Sequence, residues 1–200
     1  MRLEEAKRDH YRKLAKKEGY RSRSAYKLIQ IDHKYKLIKR GFYILDFGAA
    51  PGGWLKVISK KISKKGLVIG IDIKSIKKVS ENVITLEDDI NDPNFIIDIR
   101  DITENEFDLI LSDIAPNVTG MWEVDHSVQI DLTEKIIFTF DQLMKKHGNA
   151  VLKVFEGVKL SQLEKTLKKK FKQIRKFKPP ASRGASSEMY LICIDFQKVN

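Results

Sequence analysis

The chain has one cysteine among its 200 residues, so no disulfide can form within it. A cysteine-based metal cluster is excluded for the same reason, because such a cluster needs several thiolates. Cys193 stands in an apolar run over residues 190–194, and we expect it to be buried in the core. The histidines are too scattered along the sequence to suggest a metal site; they are His10, His33, His126 and His147.

Long apolar runs are missing as well. No stretch approaches the ~18 apolar residues of a membrane-spanning helix, and residues 1–20 are charged where a signal peptide would be apolar. We expect a soluble intracellular protein of the cytoplasm without a membrane partner; a mitochondrion or another organelle is the alternative if a targeting peptide was removed. An apolar content of 42% suffices for one domain over residues 1–200, which we expect to be a monomer.

Positive charge is abundant but unevenly distributed. Residues 1–40 contain 14 Lys/Arg and 5 Asp/Glu, and residues 156–185 contain 10 and 2. Since the whole chain carries a net charge of +11, the remaining residues carry −6. Basic flanks around an acidic centre favour phosphate binding by the flanks and a neutral or cationic small molecule at the centre. The alternative is that each basic segment is a solvated helix face.

Strand patterns alternate with helical patterns along most of the chain. Two basic helices are predicted within residues 1–40, and further helices after the first strand, over about 125–146 and over 161–171. This alternation predicts an α/β fold with a mainly parallel sheet and helices on both faces. The last two strands have no crossover helix between them, which predicts that they are antiparallel neighbours. The predicted strands are 42–45, 66–71, 83–86, 107–112, 150–155, 173–177 and 189–196.

The turn over residues 46–54 follows the first predicted strand, where open α/β sheets bind their ligands. Its glycines let the backbone approach a ligand, and the next helix offers free N–H groups. The turn lacks the G-x-G-x-x-G pattern of dinucleotide-binding proteins. Acidic residues near three strand ends, Asp46, Asp72 and Asp89, favour a cofactor with an amine, a ribose and a nucleobase, such as S-adenosylmethionine. The alternative is that each aspartate caps the next helix.

Five sequence blocks resemble the FtsJ/RrmJ family of ribose 2′-O-methyltransferases, and they occur in the family's order. The blocks are Gly19–Leu28, Asp46–Trp54, Ser112–Asn117, Val151–Phe155 and Ser182–Glu188. The resemblance implies a Rossmann-like S-adenosylmethionine-dependent methyltransferase sheet of seven strands with the last one antiparallel. Residues 41–200 would form this core, and residues 1–40 would precede it as basic helices.

The resemblance also implies functional residues. A catalytic set of two lysines and two carboxylates falls on Lys27, Asp113, Lys153 and Glu188. From the turn and the resemblance together, the candidates for binding S-adenosylmethionine are Gly48, Gly52, Gly53, Trp54, Asp72, Asp89 and Asp113, with Asp88 as the alternative to Asp89.

Within the catalytic set, Lys153 is our candidate for the general base that takes the proton of the ribose hydroxyl. Burial and the positive charge of Lys27 would favour its neutral form, whereas Asp113 would favour the charged form. We therefore expect Asp113 to orient the amine and the cofactor. Glu188 is expected to position Lys27 or the target hydroxyl.

Structured RNA is the expected partner, with ribosomal RNA or the ribosomal large subunit favoured. Residues 52–54 and 112–120 are closer to the family's ribosomal RNA branch, which favours a uridine of large-subunit rRNA as the target. Two departures from the family pattern are Phe47 and Met121–Glu123. The candidates for binding the RNA backbone are Arg21, Arg23, Lys168, Lys169, Lys170 and Arg183. Tyr20, Tyr26 and Trp122 could stack on a base, with ordinary packing as the alternative.

Other functions remain open from the sequence. One is methylation of the tRNA anticodon loop, and another is a catalytically silent RNA-binding protein on the same fold. A nicotinamide-dependent oxidoreductase is a third alternative, which the missing G-x-G-x-x-G pattern and the basic flanks disfavour.

Overall fold

The structure is a computed structural model that describes residues 2–117, 119–184 and 186–198. Val118 and Ala185, which fall within stretches used in the sequence analysis, lie outside the described residues. No helix in these three ranges is long and apolar enough to cross a membrane.

Seven strands form one sheet in the order β3-β2-β1-β4-β5-β7-β6. The strands are β1 Tyr43–Phe47, β2 Leu67–Asp72, β3 Val83–Glu87, β4 Phe107–Ser112, β5 Met144–Phe155, β6 Phe171–Phe177 and β7 Glu188–Phe196. The neighbours from β3 to β5 are parallel, and β7 is antiparallel to both β5 and β6. This arrangement confirms the predicted mainly parallel α/β sheet of seven strands with an antiparallel last strand.

Helices cover both faces of the sheet, as predicted. They are α1 Arg2–Lys17, α2 Ala25–Tyr35, α3 Gly53–Ile62, α4 Phe95–Ile102, α5 Trp122–Phe138, α6 Phe140–Leu143 and α7 Leu160–Lys170. One apolar cluster joins α2 and α3 to the sheet, and another joins α4, α5 and α7 to the opposite face. Adjacent residues of β1 supply both clusters, Ile44 to the first and Leu45 to the second, because side chains alternate across a strand.

The predicted helix over 125–146 is wrong at its carboxyl end. Helix α5 ends at Phe138, and strand β5 already begins at Met144 after the short α6. The basic residues that resemble a helix terminus instead pair with carboxylates of neighbouring strands. Lys145 lies 3.0 Å from Asp108 on β4, and His147 lies 2.7 Å from Asp195 on β7.

Helix α4 was missing from the predicted elements. Its buried residues Phe95 and Ile99 are spaced four apart and pack against the sheet, which is a helical period. The helix is only eight residues long, so its apolar period is too short to predict a helix between two strands.

Candidate active site

A cavity of about 580 Å³ opens at the carboxyl edge of the sheet, near the ends of β1 and β4. The strand order reverses between these two strands, which is where open α/β sheets bind ligands. Four of the predicted cofactor-binding residues line the cavity, namely Gly48, Asp72, Asp89 and Asp113. The cavity therefore brings together residues from the ends of four strands.

Gly48 allows the loops after β1 and β4 to approach each other closely. Its φ is +74°, in the left-handed region that favours glycine. A Cβ at this position would lie 2.7 Å from the backbone nitrogen of Ile114. Any side chain at position 48 would therefore push the two cavity-lining loops apart.

Asp72 is held in place at the cavity by two backbone groups. Its Oδ2 accepts a hydrogen bond of 2.9 Å from the N–H of Ala50, and its Oδ1 accepts one of 3.0 Å from the N–H of Lys74. The carboxylate thereby joins the turn after β1 to the loop after β2, and it keeps lone pairs for a ligand.

Asp88 and Asp89 both line the cavity, so the structure brings together the two alternatives left open by the sequence. Oδ1 of Asp89 accepts hydrogen bonds from the backbone and side chain of Asn91, at 2.9 and 2.7 Å. Oδ1 of Asp88 accepts from the N–H of Asp89, whereas its buried Oδ2 has no hydrogen-bond partner. The pKa of Asp88 is raised, chiefly by burial.

The other three cofactor candidates, Gly52, Gly53 and Trp54, do not line this cavity. They pack against the segment that leads into α2. A Cβ at Gly53 would lie 2.1 Å from Oγ of Ser22, and the indole N–H of Trp54 donates a 2.9 Å hydrogen bond to the carbonyl of Ser24. Their contacts within the chain therefore fix the turn, and their contact with a cofactor stays a prediction.

Arg21 crosses from the N-terminal segment to the loops around the cavity. Its guanidinium donates hydrogen bonds to the carbonyls of Pro51 at 3.2 Å, Lys77 at 2.5 Å and Lys78 at 2.6 Å. The side chain thus ties the turn after β1 to the segment between β2 and β3. Contact between Arg21 and RNA remains a prediction, in addition to these hydrogen bonds within the chain.

Lys153 and Asp113 form a largely buried ion pair. Lys153 Nζ lies 3.2 Å from Oδ1 of Asp113, with side chains 6% and 17% exposed, and it also donates to the backbone carbonyl of Asp113. Lys153 lies near the carboxyl end of β5, and Asp113 directly follows β4. Because Asp113 also lines the cavity, the ion pair adjoins any ligand bound there.

Lys27 and Glu188 form a second buried pair beside the first. Lys27 Nζ, from helix α2, lies 2.6 Å from Oε1 of Glu188, with side chains 9% and 14% exposed. The hydroxyl of Ser182 donates a 3.0 Å hydrogen bond to the same oxygen. The positive charge of Lys27 also acts on Asp113. The structure therefore brings all four predicted catalytic residues into one cluster.

Tyr190 belongs to this cluster and was missed in the sequence, where it was assigned only to an apolar strand. Its hydroxyl donates a 2.7 Å hydrogen bond to Oδ1 of Asp113, and Lys27 Nζ lies 5.8 Å from its ring centroid. Tyr190 stands opposite Lys153 in the register of β5 and β7. The signal available in the sequence was its position two residues after Glu188, on the same face of a strand.

The electrostatics of the cluster keep Asp113 ionised. Burial alone would raise the pKa of Asp113, but the charges of Lys153 and Lys27 and the hydrogen bond from Tyr190 lower it overall. Burial, followed by the negative charges of Asp113 and Glu188, raises the pKa of Tyr190 well above its usual value. Tyr190 therefore remains a hydrogen-bond donor, and Asp113 remains an acceptor.

Asp46 lies beneath this region and is fully buried. Neither carboxyl oxygen has a hydrogen-bond partner among the described residues. Burial raises the pKa of Asp46 well above its usual value, and the charges of Asp113 and Asp72 add to the effect. Asp46 does not line the cavity, so in this structure it is not presented to a ligand.

The candidates for RNA binding are divided between two edges of the sheet. Arg183 is exposed in the loop before Glu188, and the charge of Arg23 acts on Tyr190, so both lie near the candidate catalytic cluster. The three lysines Lys168–Lys170 end helix α7, directly before β6. An 11-residue helix is about 16 Å long, so it carries these lysines away from the carboxyl edge towards the opposite one.

No group of three or more metal-ligating side chains is found within residues 2–117, 119–184 and 186–198. The cluster offers carboxylates, amines and a phenol at the rim of a cavity. This combination can bind a cationic ligand, orient a hydroxyl and accept its proton.

Sequence comparisons relate the chain to RNA-modifying enzymes. A family model described as FtsJ-like methyltransferase matches residues 20–196. The chain is 41% identical over 196 residues to the ribosomal RNA large subunit methyltransferase E of Nitrosopumilus maritimus, covering 98% of this chain and 99% of that protein. It is 41% identical over 194 residues to the protein of the same name from Methanothermobacter thermautotrophicus, covering 96% and 92%.

Structural comparison gives the same result. A crystal structure of a protein assigned as a ribosomal RNA methyltransferase from Plasmodium falciparum superposes with a TM-score of 0.82 at 32% identity. The match covers 90% of this chain and 100% of that one.

Proposed function

The chain belongs to the FtsJ-like methyltransferase family, and we propose that it methylates a ribose 2′-hydroxyl of large-subunit ribosomal RNA with S-adenosylmethionine. The observation that carries the proposal is the buried Lys153–Asp113 pair, which adjoins both the cavity and the Lys27–Glu188 pair. The names of the relatives and the two basic flanks support ribosomal RNA as the substrate.

The cavity fits S-adenosylmethionine in size and in chemistry. A volume of about 580 Å³ lies within the usual range of small-molecule sites. Asp72 can accept hydrogen bonds from ribose hydroxyls, and Asp89 or Asp88 from an adenine amino group. The ionised Asp113 favours a positively charged ligand beside it. When bound, S-adenosylmethionine supplies an electrophilic methyl group carried by a positively charged sulfur.

Lys153 acts in this proposal as the general base. Its ammonium must first lose a proton to solvent; the amine would then accept the proton of the 2′-hydroxyl as the oxygen takes up the methyl group that leaves the sulfur. Asp113 fixes the position of Lys153 Nζ through the 3.2 Å contact. Tyr190 fixes Asp113 in turn, so the amine and the cavity keep a constant relative position.

Lys27 and Glu188 position the substrate ribose. Oε1 of Glu188 is held by Lys27 and by Ser182, which leaves its second oxygen free of these two contacts. A carboxylate oxygen there can accept a hydrogen bond from the target nucleotide. The positive charge of Lys27 stands beside this site, where it favours loss of the proton of the hydroxyl.

The proposal is tested by incubating the protein with isotopically labelled S-adenosylmethionine and transcripts of large-subunit rRNA or tRNA. We expect label in rRNA that is recovered as a 2′-O-methylated nucleoside, with uridine favoured. Label in the tRNA anticodon loop, or on a base, would contradict the proposal.

Calorimetric titration separates the remaining alternatives. We expect S-adenosylmethionine to bind and NAD not to bind, because the turn over residues 46–54 lacks the dinucleotide pattern. A silent RNA-binding protein would bind rRNA but transfer no methyl group.

A further inference from the structure

Trp122 presents part of its ring to solvent at the first position of helix α5. Trp122 as a whole is 46% exposed. The buried part packs on two other rings, His126 at 5.8 Å and an interplanar angle of 19°, and Phe155 at 5.8 Å and 34°. We call these three side chains, Trp122, His126 and Phe155, the aromatic ledge.

The His126 ring of the ledge is buried and closely packed. His126 is 6% exposed, and its Nε2 accepts a 3.3 Å hydrogen bond from the N–H of Lys159. A Cβ at Gly157 would lie 2.6 Å from the imidazole, so the loop after β5 fits closely against the ring. Burial, with a contribution from the charge of Lys159, lowers the pKa of His126. The imidazole therefore stays neutral and keeps this acceptor.

The ledge adjoins the catalytic cluster through Phe155. Phe155 follows Lys153 by two positions on β5, so their Cα atoms are about 7 Å apart. Across the sheet, Phe155 pairs in register with Glu188. A nucleotide whose ribose reaches Lys153 would therefore place its own base, or that of a neighbour, within reach of Trp122.

The surroundings of the ledge suit a nucleotide. Met121, which precedes Trp122, and Val158, which lies between Gly157 and Lys159, are 62% and 91% exposed. A cation lies at its border, because Lys159 Nζ donates a 2.6 Å hydrogen bond to Ser127 on α5. Apolar surface beside a positive charge is complementary to a base attached to a phosphate.

The other aromatic candidates for stacking are engaged within the protein. Tyr20 and Tyr26 pack edge-to-face at 5.8 Å, and Tyr26 also packs against Tyr11. Tyr26 is only 7% exposed. Among the three aromatic residues singled out in the sequence, Trp122 is the one with a large exposed surface.

From these contacts we propose that Trp122 stacks on an unpaired nucleobase of the substrate RNA, either the base of the methylated nucleotide or that of its immediate neighbour. Sequence-specific RNA recognition commonly uses bases that are turned out and stacked on aromatic side chains. Turning the base onto the ledge also orients its ribose towards Lys153. This inference rests on the proposed function, because it assigns an RNA substrate to the same site.

The test compares two probes, decauridylate and a ribose-phosphate decamer of equal length that carries no bases. Affinities are measured at low salt for the wild type, Trp122→Ala and Trp122→Phe. Stacking of one base changes affinity by about 5- to 150-fold, so we expect the wild type to bind decauridylate more tightly than the base-free decamer by a factor of about that size. Trp122→Ala should lose most of this preference, and Trp122→Phe should keep most of it.

Binding of the base-free decamer is the internal control, because it depends on the backbone alone. An equal loss of affinity for both probes in Trp122→Ala would overturn the proposal, since it would indicate a general defect. Unchanged binding of decauridylate by Trp122→Ala would also overturn the proposal. The exposed aromatic surface would then be assigned to a contact with another protein. Methyl transfer to rRNA by the wild type, measured separately, tests the proposed function independently of either result.

Discussion

The hydroxyl of Tyr190 donates a 2.7 Å hydrogen bond to the same carboxylate oxygen of Asp113 that pairs with Lys153. Tyr190 and Lys153 are opposite each other on β7 and β5. These two strands therefore hold the carboxylate of Asp113, which lies in the loop after β4. This contact fixes Asp113 between the cavity and the candidate base.

Removal of the proposed base should abolish catalysis while cofactor binding persists. A general base contributes about 10²- to 10⁴-fold to rate, so we expect Lys153→Ala to lose at least 100-fold in kcat, with the Kd for S-adenosylmethionine within a few-fold of wild type. Lys153→Arg keeps a cation beside Asp113 but cannot give up its proton, so we expect it to be folded and inactive.

Lys146→Ala is the matched control for these variants. Lys146 lies on the same strand as Lys153 but is exposed, so its loss should leave kcat unchanged. Normal turnover by Lys153→Arg would exclude Lys153 as the base.

The Lys27–Glu188 pair should show a separable contribution to stability. Removal of one member of a buried pair costs about 3–5 kcal/mol, whereas its replacement by apolar residues is often neutral. We therefore expect Glu188→Leu alone to lower the free energy of unfolding and the double variant Lys27→Met/Glu188→Leu to recover it, as measured in urea. Methyl transfer should remain lost in both.

The exposed pair Lys78–Glu81 provides the comparison, since its side chains are 71% and 90% exposed. Glu81→Ala should leave both stability and activity unchanged. An active Lys27→Met/Glu188→Leu protein would show that this pair serves only the fold.

Arg21 should affect cofactor binding through the loops that it connects. Arg21→Ala removes hydrogen bonds to the carbonyls of Pro51, Lys77 and Lys78, which frees the turn beside the cavity. We expect S-adenosylmethionine to bind roughly tenfold more weakly, in line with the loss of one or two net hydrogen bonds. Lys at position 21 cannot span three carbonyls, so Arg21→Lys should not restore affinity.

Arg12→Ala is the control for the loss of positive charge, because Arg12 is exposed on helix α1. It should leave cofactor affinity unchanged in calorimetry. If Arg21→Ala weakens RNA binding but not cofactor binding, the hydrogen bonds from the Arg21 side chain to the three carbonyls do not support the cavity.

The dependence of RNA affinity on salt should separate the two groups of basic residues. Each phosphate contact to single-stranded RNA contributes about 0.7 to the slope of log affinity against log salt. With a decamer we expect Arg183→Ala to reduce this slope by about that amount. Lys168→Ala/Lys169→Ala should leave it unchanged, because these lysines end α7 away from the catalytic edge.

With full-length rRNA, which can reach both edges of the sheet, we expect the double lysine variant to reduce the slope as well. A salt-independent affinity for rRNA in the wild type would exclude backbone recognition by either group.

Much of the fold follows from local patterns in the sequence. The strand over 107–112 has the same bounds in the structure as in the prediction, because Phe107 and the apolar run over 109–111 are typical of a buried parallel strand. The carboxyl end of α5 was predicted wrongly because Lys145 and His147 have the composition of a helix terminus. Their acidic partners Asp108 and Asp195 are far away in sequence, so only the folded chain reveals the pairing.

The grouping of the four candidate catalytic residues could be predicted from ordered sequence blocks, but the contacts of their neighbours could not. Tyr190 has the character of an ordinary core residue until the register of β5 and β7 places it opposite Lys153. Arg21 is basic within a basic segment, which suggests phosphate binding. Its three carbonyl acceptors come from loops that are 30 to 57 residues further along the chain.

The most direct test of the central claim is a map of 2′-O-methylation in the rRNA and tRNA of cells that contain or lack this protein. We expect one or more ribose methyl groups in large-subunit rRNA to disappear without the protein, to return with the wild type, and to remain absent with Lys153→Arg. Loss of methylation only in tRNA, or full restoration by Lys153→Arg, would contradict the account.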